Sequence, residues 1–105
     1  MNLSNTELLI LAAVEAHELY GREITIAVAE RTDGKRKIGL AGLYTTLHRM
    51  EEKGLLGSRW GDDDEAREGA RRRYYRITGV GQRALRDVRQ ALRAPFRRRL
   101  AWGDR

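Results

Sequence analysis

Cysteine is absent from this sequence, so neither disulfides nor thiolate zinc sites can reinforce the fold. Long apolar runs are absent too. The most apolar segment, Leu8–Val14, holds seven residues, far short of the roughly 20 that span a bilayer. The N-terminus shows no cationic start followed by an extended apolar region. These absences lead us to expect a soluble, cytoplasmic protein without membrane association. Histidine is scarce: with only His17 and His48, and no thiol, no metal triad or nucleophile–base pair can be proposed from spacing. The glycines form no phosphate loop. The carboxylates cluster in one loop and at helix ends, where solvated charge is the ordinary explanation, and Tyr74 and Tyr75 face opposite ways if they share a strand. No enzyme, catalytic residue, metal or cofactor is expected.

What is abundant is arginine. The 105 residues include 18 arginines and three lysines against 15 acidic residues, a net charge of +6. The planar guanidinium fork suits phosphate and guanine, so the balance points toward nucleic acid. A solvated basic surface in an arginine-rich proteome would give the same numbers. A chain this short makes one domain at the small end of what a single core supports, and oligomerisation would add burial.

The stretch Leu40 to Trp60 organises the rest. Leu43, Leu47 and Met50 recur at spacings of four and three, which predicts one buried helical face. Gly54 follows where a left-handed C′ residue is wanted, with Leu55 placed to fold back on Met50 in a Schellman ending. At 100° per residue Ala41, Thr45, His48, Arg49 and Glu52 point the other way, with Gly42 at the edge. A purely solvent-facing helix would more often show Lys and Glu there. Small polar residues allow close approach, and Thr, His and Arg can meet base edges or phosphates. We read a DNA recognition helix; an ordinary amphipathic helix is the plainer alternative.

Upstream, Ser4 and Glu7 make a capping box with a Leu3–Leu8 staple, predicting a first helix from Asn5 to about His17. Its middle is apolar all round, which a dimer buries more easily than a small monomer. Tyr20-Gly21 turns the chain into a second helix, about Arg22 to Thr32, ended by Asp33-Gly34. Lys35-Arg36-Lys37 is a basic run, either a solvated loop or a phosphate contact, and Ile38 is placed to anchor a short strand. Downstream, Leu56, Ser58 and Trp60 alternate as one strand, and Arg72 to Ile77 as a second, with Tyr75 and Ile77 inward and Arg72, Tyr74 and Arg76 outward. The joining loop carries Asp62-Asp63-Asp64-Glu65, which would repel phosphate. Thr78 caps a last helix, about Gly79 to Ala94, which Pro95 should break or kink. Its stripe of Leu85, Val88 and Leu92 suggests a self-pairing surface, or packing on the first helix, or both.

Three blocks resemble the PadR family of bacterial winged-helix repressors. Tyr20-Gly21-Arg22-Glu23-Ile24 is similar to the family's His-Gly-Tyr-Glu-Ile. Leu43-Tyr44, Leu47, Arg49-Met50-Glu51 and Gly54-Leu55 stand where the family has Leu-Tyr-x-x-Leu-x-Arg-Leu-Glu-x-x-Gly-Leu. Arg72-Arg73-Tyr74-Tyr75-Arg76-Ile77-Thr78 with Gly81 resembles its Arg-Arg-Tyr-Tyr-x-Leu-Thr-x-x-Gly. The resemblance implies a dimeric DNA-binding repressor of the branch with a single dimerising helix. By position it implies that Tyr44 bonds the DNA backbone while Thr45 and Arg49 lie over the major groove. Some relatives sense aromatic small molecules beside a tryptophan of the last helix, so the resemblance leaves an aromatic effector open here, with Trp102 as the loosely matching candidate and Trp60 read as a wing-packing residue. Where the family often has Ser-Pro-Gly-Thr, this chain has Gly39-Leu40-Ala41-Gly42, losing a hydroxyl cap and a hydroxyl contact. Arg22 in place of the family's tyrosine points toward a phosphate contact.

The expected fold is mainly α with a small β-hairpin: a winged helix-turn-helix over residues 1–78, then a C-terminal dimerisation helix and basic tail over 79–105. The expected function is a sequence-specific transcriptional regulator, a repressor that binds double-stranded DNA at an inverted repeat as a homodimer. The candidate DNA contacts are Arg22, Lys35, Lys37, Gly42, Tyr44, Thr45, His48, Arg49, Arg72 and Arg73. The candidate dimer surface comprises Leu8, Leu11, Leu85, Val88, Leu92 and Phe96. A winged-helix module that binds protein instead of DNA is the alternative, supported by the acidic wing.

Overall fold

The computed structural model describes residues 2–62 and 71–103, with residues 95–103 as backbone only. Helix α1 (Asn5–Ala13) starts at the expected capping box: the Glu7 N–H donates to Ser4 Oγ at 3.1 Å, and the Ser4 N–H donates to Glu7 Oε1 at 2.9 Å. Ile10, Leu11 and Val14 are fully buried, and Leu3, Leu8, Leu9 and Ala13 pack around them. The helix stops four residues before His17. Acidic side chains oppose the dipole at a helix C-terminus, and Glu15 and Glu18 are instead paired with Arg89 and Arg59. Beyond them Leu19–Tyr20 forms strand β1.

That strand is a correction to the sequence reading, which took Tyr20-Gly21 as a turn and placed a short strand near Ile38. Residues 36–39 carry no regular structure, and Ile38 packs on the core as a side chain only. Strands β2 (Leu56–Trp60) and β3 (Arg73–Ile77) form the expected antiparallel pair, from Leu56 opposite Ile77 to Trp60 opposite Arg73. Strand β1 adds to the free edge of β3, so the sheet order is β1-β3-β2.

Helix α2 (Gly21–Arg31) packs on α1, and α3 (Leu40–Glu52) packs on α2 and β2. Ile24, Val28, Leu43, Leu47, Met50 and Leu55 are completely inside. Helix α2 ends on two left-handed residues, Asp33 at φ 52° and Gly34 at φ 77°. Beneath α1, Lys53 Nζ reaches Glu7 Oε2 at 2.7 Å. Burial pushes the Glu7 carboxyl up, but the Lys53 bond and charge and the Ser4 N–H outweigh it and hold the carboxyl below its ordinary value. A lowered folded-state pKa stabilises above the unfolded value and is lost as pH falls through the folded one. Glu7→Gln should therefore cost about 1 kcal/mol near neutrality. In urea titrations its deficit against the parent should close as pH drops below about 4.5, the ordinary value.

Helix α4 (Gly79–Gly103) is one uninterrupted helix. Thr78 caps it as expected, with its Oγ1 accepting the Gly81 N–H at 3.0 Å. Pro95, however, does not break it. Proline in a helix forfeits the bond to the carbonyl four residues back. Here that residue is Ala91, which is exposed, so water can satisfy the carbonyl. The flanking Ala, Leu and Arg residues are strong helix formers.

Early α4 belongs to the common core through Leu85, which is 4% exposed and packs with α1. This alters the pairing surface read from sequence. Leu11 and Leu85 are sealed inside this chain's own core and have almost no area left to offer a partner. Val88 remains half-buried, Leu8 partly buried, and Leu92 is 68% exposed. Phe96 lies outside the described side chains.

Candidate nucleic-acid interface

The recognition-helix candidate is held from both ends. At its C-terminus Gly54 takes φ 77°, its N–H donates to Glu51 O at 2.9 Å, and the Leu55 N–H donates to Met50 O at 2.9 Å. This is the Schellman pair, and it turns Leu55 into the core. At its N-terminus Gly39 is the cap residue and supplies no side-chain bond. The inward face is Leu43, Leu47 and Met50; Ala41, Gly42, Thr45, His48, Arg49 and Glu52 are exposed, as the projection required. His48 Nε2 lies 3.2 Å from Glu52 Oε1 on that open face.

Tyr44 joins this helix to the start of α2. Its ring lies across Gly21, where a Cβ would come within 2.5 Å of the phenolic oxygen. Any larger side chain there would push the ring aside, so the buried Gly21, directly before the exposed Arg22, suits this placement of Tyr44. Tyr44 is still 46% exposed. Lys35 and Lys37 are exposed in the segment leading into α3. Arg36, between them, is bonded to Thr6 and is unavailable in the same way.

The two wing arginines face opposite ways. Arg73 is on the inner side: its Nε donates to Ser58 Oγ at 3.1 Å, its Nη2 lies 3.5 Å from Glu51 Oε1, and its guanidinium covers Trp60 at 5.2 Å. Next to it, burial pushes the Tyr75 phenol up. Arg72 is exposed on the outer side, 4.5 Å over the Tyr20 ring. Tyr20 in turn meets Tyr74 edge-on at 5.7 Å, and Arg59 covers Tyr74 at 4.7 Å. Arg59 also clasps Glu18, whose carboxyl that hydrogen bond holds below the ordinary range.

Sequence reasoning did not single out Arg59 or Leu40. Leu40 is apolar yet 50% exposed at the first turn of α3. The signal for Arg59 was its place between Ser58 and Trp60 on the outward alternation. Of the acidic run, Asp62 is exposed and the remainder lies outside the described residues, as does the Trp102 side chain. Among the described residues no three His, Asp or Glu side chains converge as a metal ion would need, and no helix is long and apolar enough to cross a membrane.

The profile of the transcriptional regulator PadR-like family matches residues 10–87. The chain belongs to the PadR-like family. This PadR-like chain is similar in structure to a PadR family transcription regulator of Clostridium difficile, with TM-score 0.72 and 28% identity over 92% of this chain and 94% of that one. Across 50 residues, 48% of this chain and 43% of the relative, it is 46% identical to the transcriptional regulator Rv3488 of Mycobacterium tuberculosis. Bacillus subtilis PadR, crystallised in complex with operator DNA, shares the fold at TM-score 0.66 and 21% identity, over 77% of this chain and 45% of that one. The wing, its third strand and the early part of α4 thus sit within a transcription-regulator fold.

Proposed function

We propose that this PadR-like protein is a cytoplasmic, homodimeric repressor that binds double-stranded DNA at an inverted-repeat operator. The observation that carries the reading is the outward face of α3, small and uncharged at its N-terminal end and ending in exposed His48 and Arg49. Bacillus subtilis PadR, with its operator complex, supports it by analogy of fold. In this reading α3 enters the major groove, where Gly42 permits close approach and Thr45, His48 and Arg49 face base edges. Tyr44, Arg22, Lys35 and Lys37 hold the phosphate backbone, and Arg72 adds a contact from the outer face of the wing. Arg73 acts at one remove, fixing the wing to Glu51 at the end of α3. The two-fold pairing uses Leu8, Val88 and Leu92. Release by a flat aromatic effector completes the reading and attaches to Trp102 by resemblance alone.

Arg49→Ala should weaken operator binding by about 1–3 kcal/mol. Relaxed preference at one position would mark Arg49 as a base reader, and a uniform fall across sequences as a phosphate contact. Unchanged affinity in fluorescence anisotropy would remove it from the interface. Tyr44→Phe should do less, because it deletes one hydrogen bond and keeps the ring over Gly21.

A further inference from the structure

The first two turns of α3 offer DNA almost no hydrogen-bond donors. Leu40 is apolar and half exposed, Ala41 is exposed, and at Gly42 an added Cβ would meet nothing within 4 Å. The Thr45 hydroxyl is turned back on its own helix, donating to Ala41 O at 3.2 Å, and the Thr46 hydroxyl donates to Gly42 O at 3.0 Å. A threonine whose Oγ1 is engaged in this way presents its methyl group outward. Tyr44 has its phenolic oxygen beside Gly21. Strong side-chain donors begin a turn later, at His48 and Arg49. The surroundings are basic, with Arg22, Lys35, Lys37 and Arg49 all exposed.

Guanine and adenine show hydrogen-bond acceptors on their major-groove edges, and arginine, lysine, asparagine or glutamine usually reads them. Thymine adds a C5-methyl, which alanine and the threonine methyl read by apolar contact. A basic rim that holds phosphate around an apolar, methyl-bearing tip fits the second kind of edge. Resting on the DNA-binding reading above, we propose that Ala41 and Thr45 are specificity-determining residues that read the C5-methyl of thymine, with Leu40 closing the contact from the side. Each half-site then contains a thymine whose methyl group seats between Ala41 and the outward methyl of Thr45. Arg49, about one turn further along, reads or clamps the neighbouring position.

The test uses the full chain and a half-site obtained by selection from random duplex DNA. Each thymine of the symmetric operator is replaced in turn by deoxyuridine, which removes only the methyl, and affinity is measured at fixed salt. At one or two positions the loss should be roughly three- to fivefold per half-site, as expected for one buried methyl. Both half-sites changed together should give about the square of that. Thr45→Ser keeps the hydroxyl and deletes the methyl at an exposed position, so folding is not at issue. It should bind the thymine operator more weakly and no longer distinguish deoxyuridine at the Thr45 position. Tight operator binding with every deoxyuridine change inside twofold would overturn the inference and leave the DNA-binding reading intact. So would a selected half-site without thymine, or discrimination that survives both Thr45→Ser and Ala41→Gly. A chain that binds no duplex DNA would instead remove the reading on which the inference rests.

Discussion

Val88→Asp is expected to split the proposed homodimer into folded monomers and to remove most of its affinity for the proposed operator. The structure divides the α4 stripe in two. Leu85 is consumed by the protomer's own core, whereas Val88 is half-buried in a shallow groove with Val80, Ala84 and Ala91. Arg83 and Asp87 rim that groove, and Leu92 stands 68% exposed one turn on. Each branched aliphatic removed from water contributes roughly 1.5–3 kcal/mol, while exposed ion pairs are typically worth only about 0–1 kcal/mol. Burial should decide the pairing. An aspartate at position 88 would stand beside Asp87 and near its own copy across the two-fold axis, so desolvation and repulsion act together. Each half-site would then be bound alone. Arg89→Glu is the comparison: Arg89 meets Glu15 at 2.8 Å with both side chains well exposed, and its dimer should survive. Sedimentation at micromolar concentration reads both variants. A dimeric Val88→Asp beside a monomeric Arg89→Glu would show that charge, not the stripe, holds the pair.

Gly81→Ala is expected to be the most damaging single methyl in the fold. At this position of α4 a Cβ would run into the Leu55 carbonyl and come within 2.9 Å of Ile77 Cγ1. The carbonyl is held in place, because it accepts the Thr78 N–H at 3.1 Å while the Thr78 hydroxyl ties down the adjoining Gly54 carbonyl at 2.6 Å. Helix α4 would have to lift from the corner between α3 and β2, loosening its own cap. Overpacking of this kind costs about 1–3 kcal/mol, occasionally more, and a weakened hydrogen bond adds about 1 kcal/mol. The helix preference of alanine over glycine, about 1 kcal/mol, works in the opposite direction and is outweighed. A net loss of about 1–3 kcal/mol should lower the melting temperature by roughly 5–20 °C. Gly79→Ala is the control, since its Cβ would find only Arg83 Nη1 at 3.6 Å. It should melt at or slightly above the parent temperature, and a Gly81→Ala that did the same would refute the packing argument.

Much of the fold was legible because its signals are local. The capping box at Ser4, the Gly54 ending, the inward triplet of α3 and the alternation in both wing strands all follow from residues within one or two turns. Strand β1 was not legible: two residues give no period, and Leu19–Tyr20 becomes a strand only because β3 has a free edge across from it. Just past the early end of α1, Glu18 and Glu15 meet Arg59 and Arg89, 41 and 74 residues away along the chain, and no local pattern announces those pairs. Continuation through Pro95 depends on the solvent exposure of Ala91, which composition does not reveal. At the candidate site the outward set on α3 was legible from the 100° projection. The opposite facing of Arg72 and Arg73 was implicit in the strand alternation, yet both were grouped as DNA contacts on charge alone. The engagement of the Thr45 hydroxyl with Ala41 has no sequence signature, because a threonine in a helix can either donate to its own backbone or face outward.

The central claim is that α3 and its basic surroundings bind a particular duplex sequence as a two-fold pair. Selection from a random duplex pool, followed by titration of the winner across a salt series, tests it most directly. The enriched site should be an inverted repeat whose half-site centres lie about one helical turn apart, roughly 34–36 Å. The logarithm of the affinity should fall steeply and linearly with log salt as phosphate-bound counterions are released. A pool that never enriches, or a single undivided half-site bound by one protomer, would contradict it.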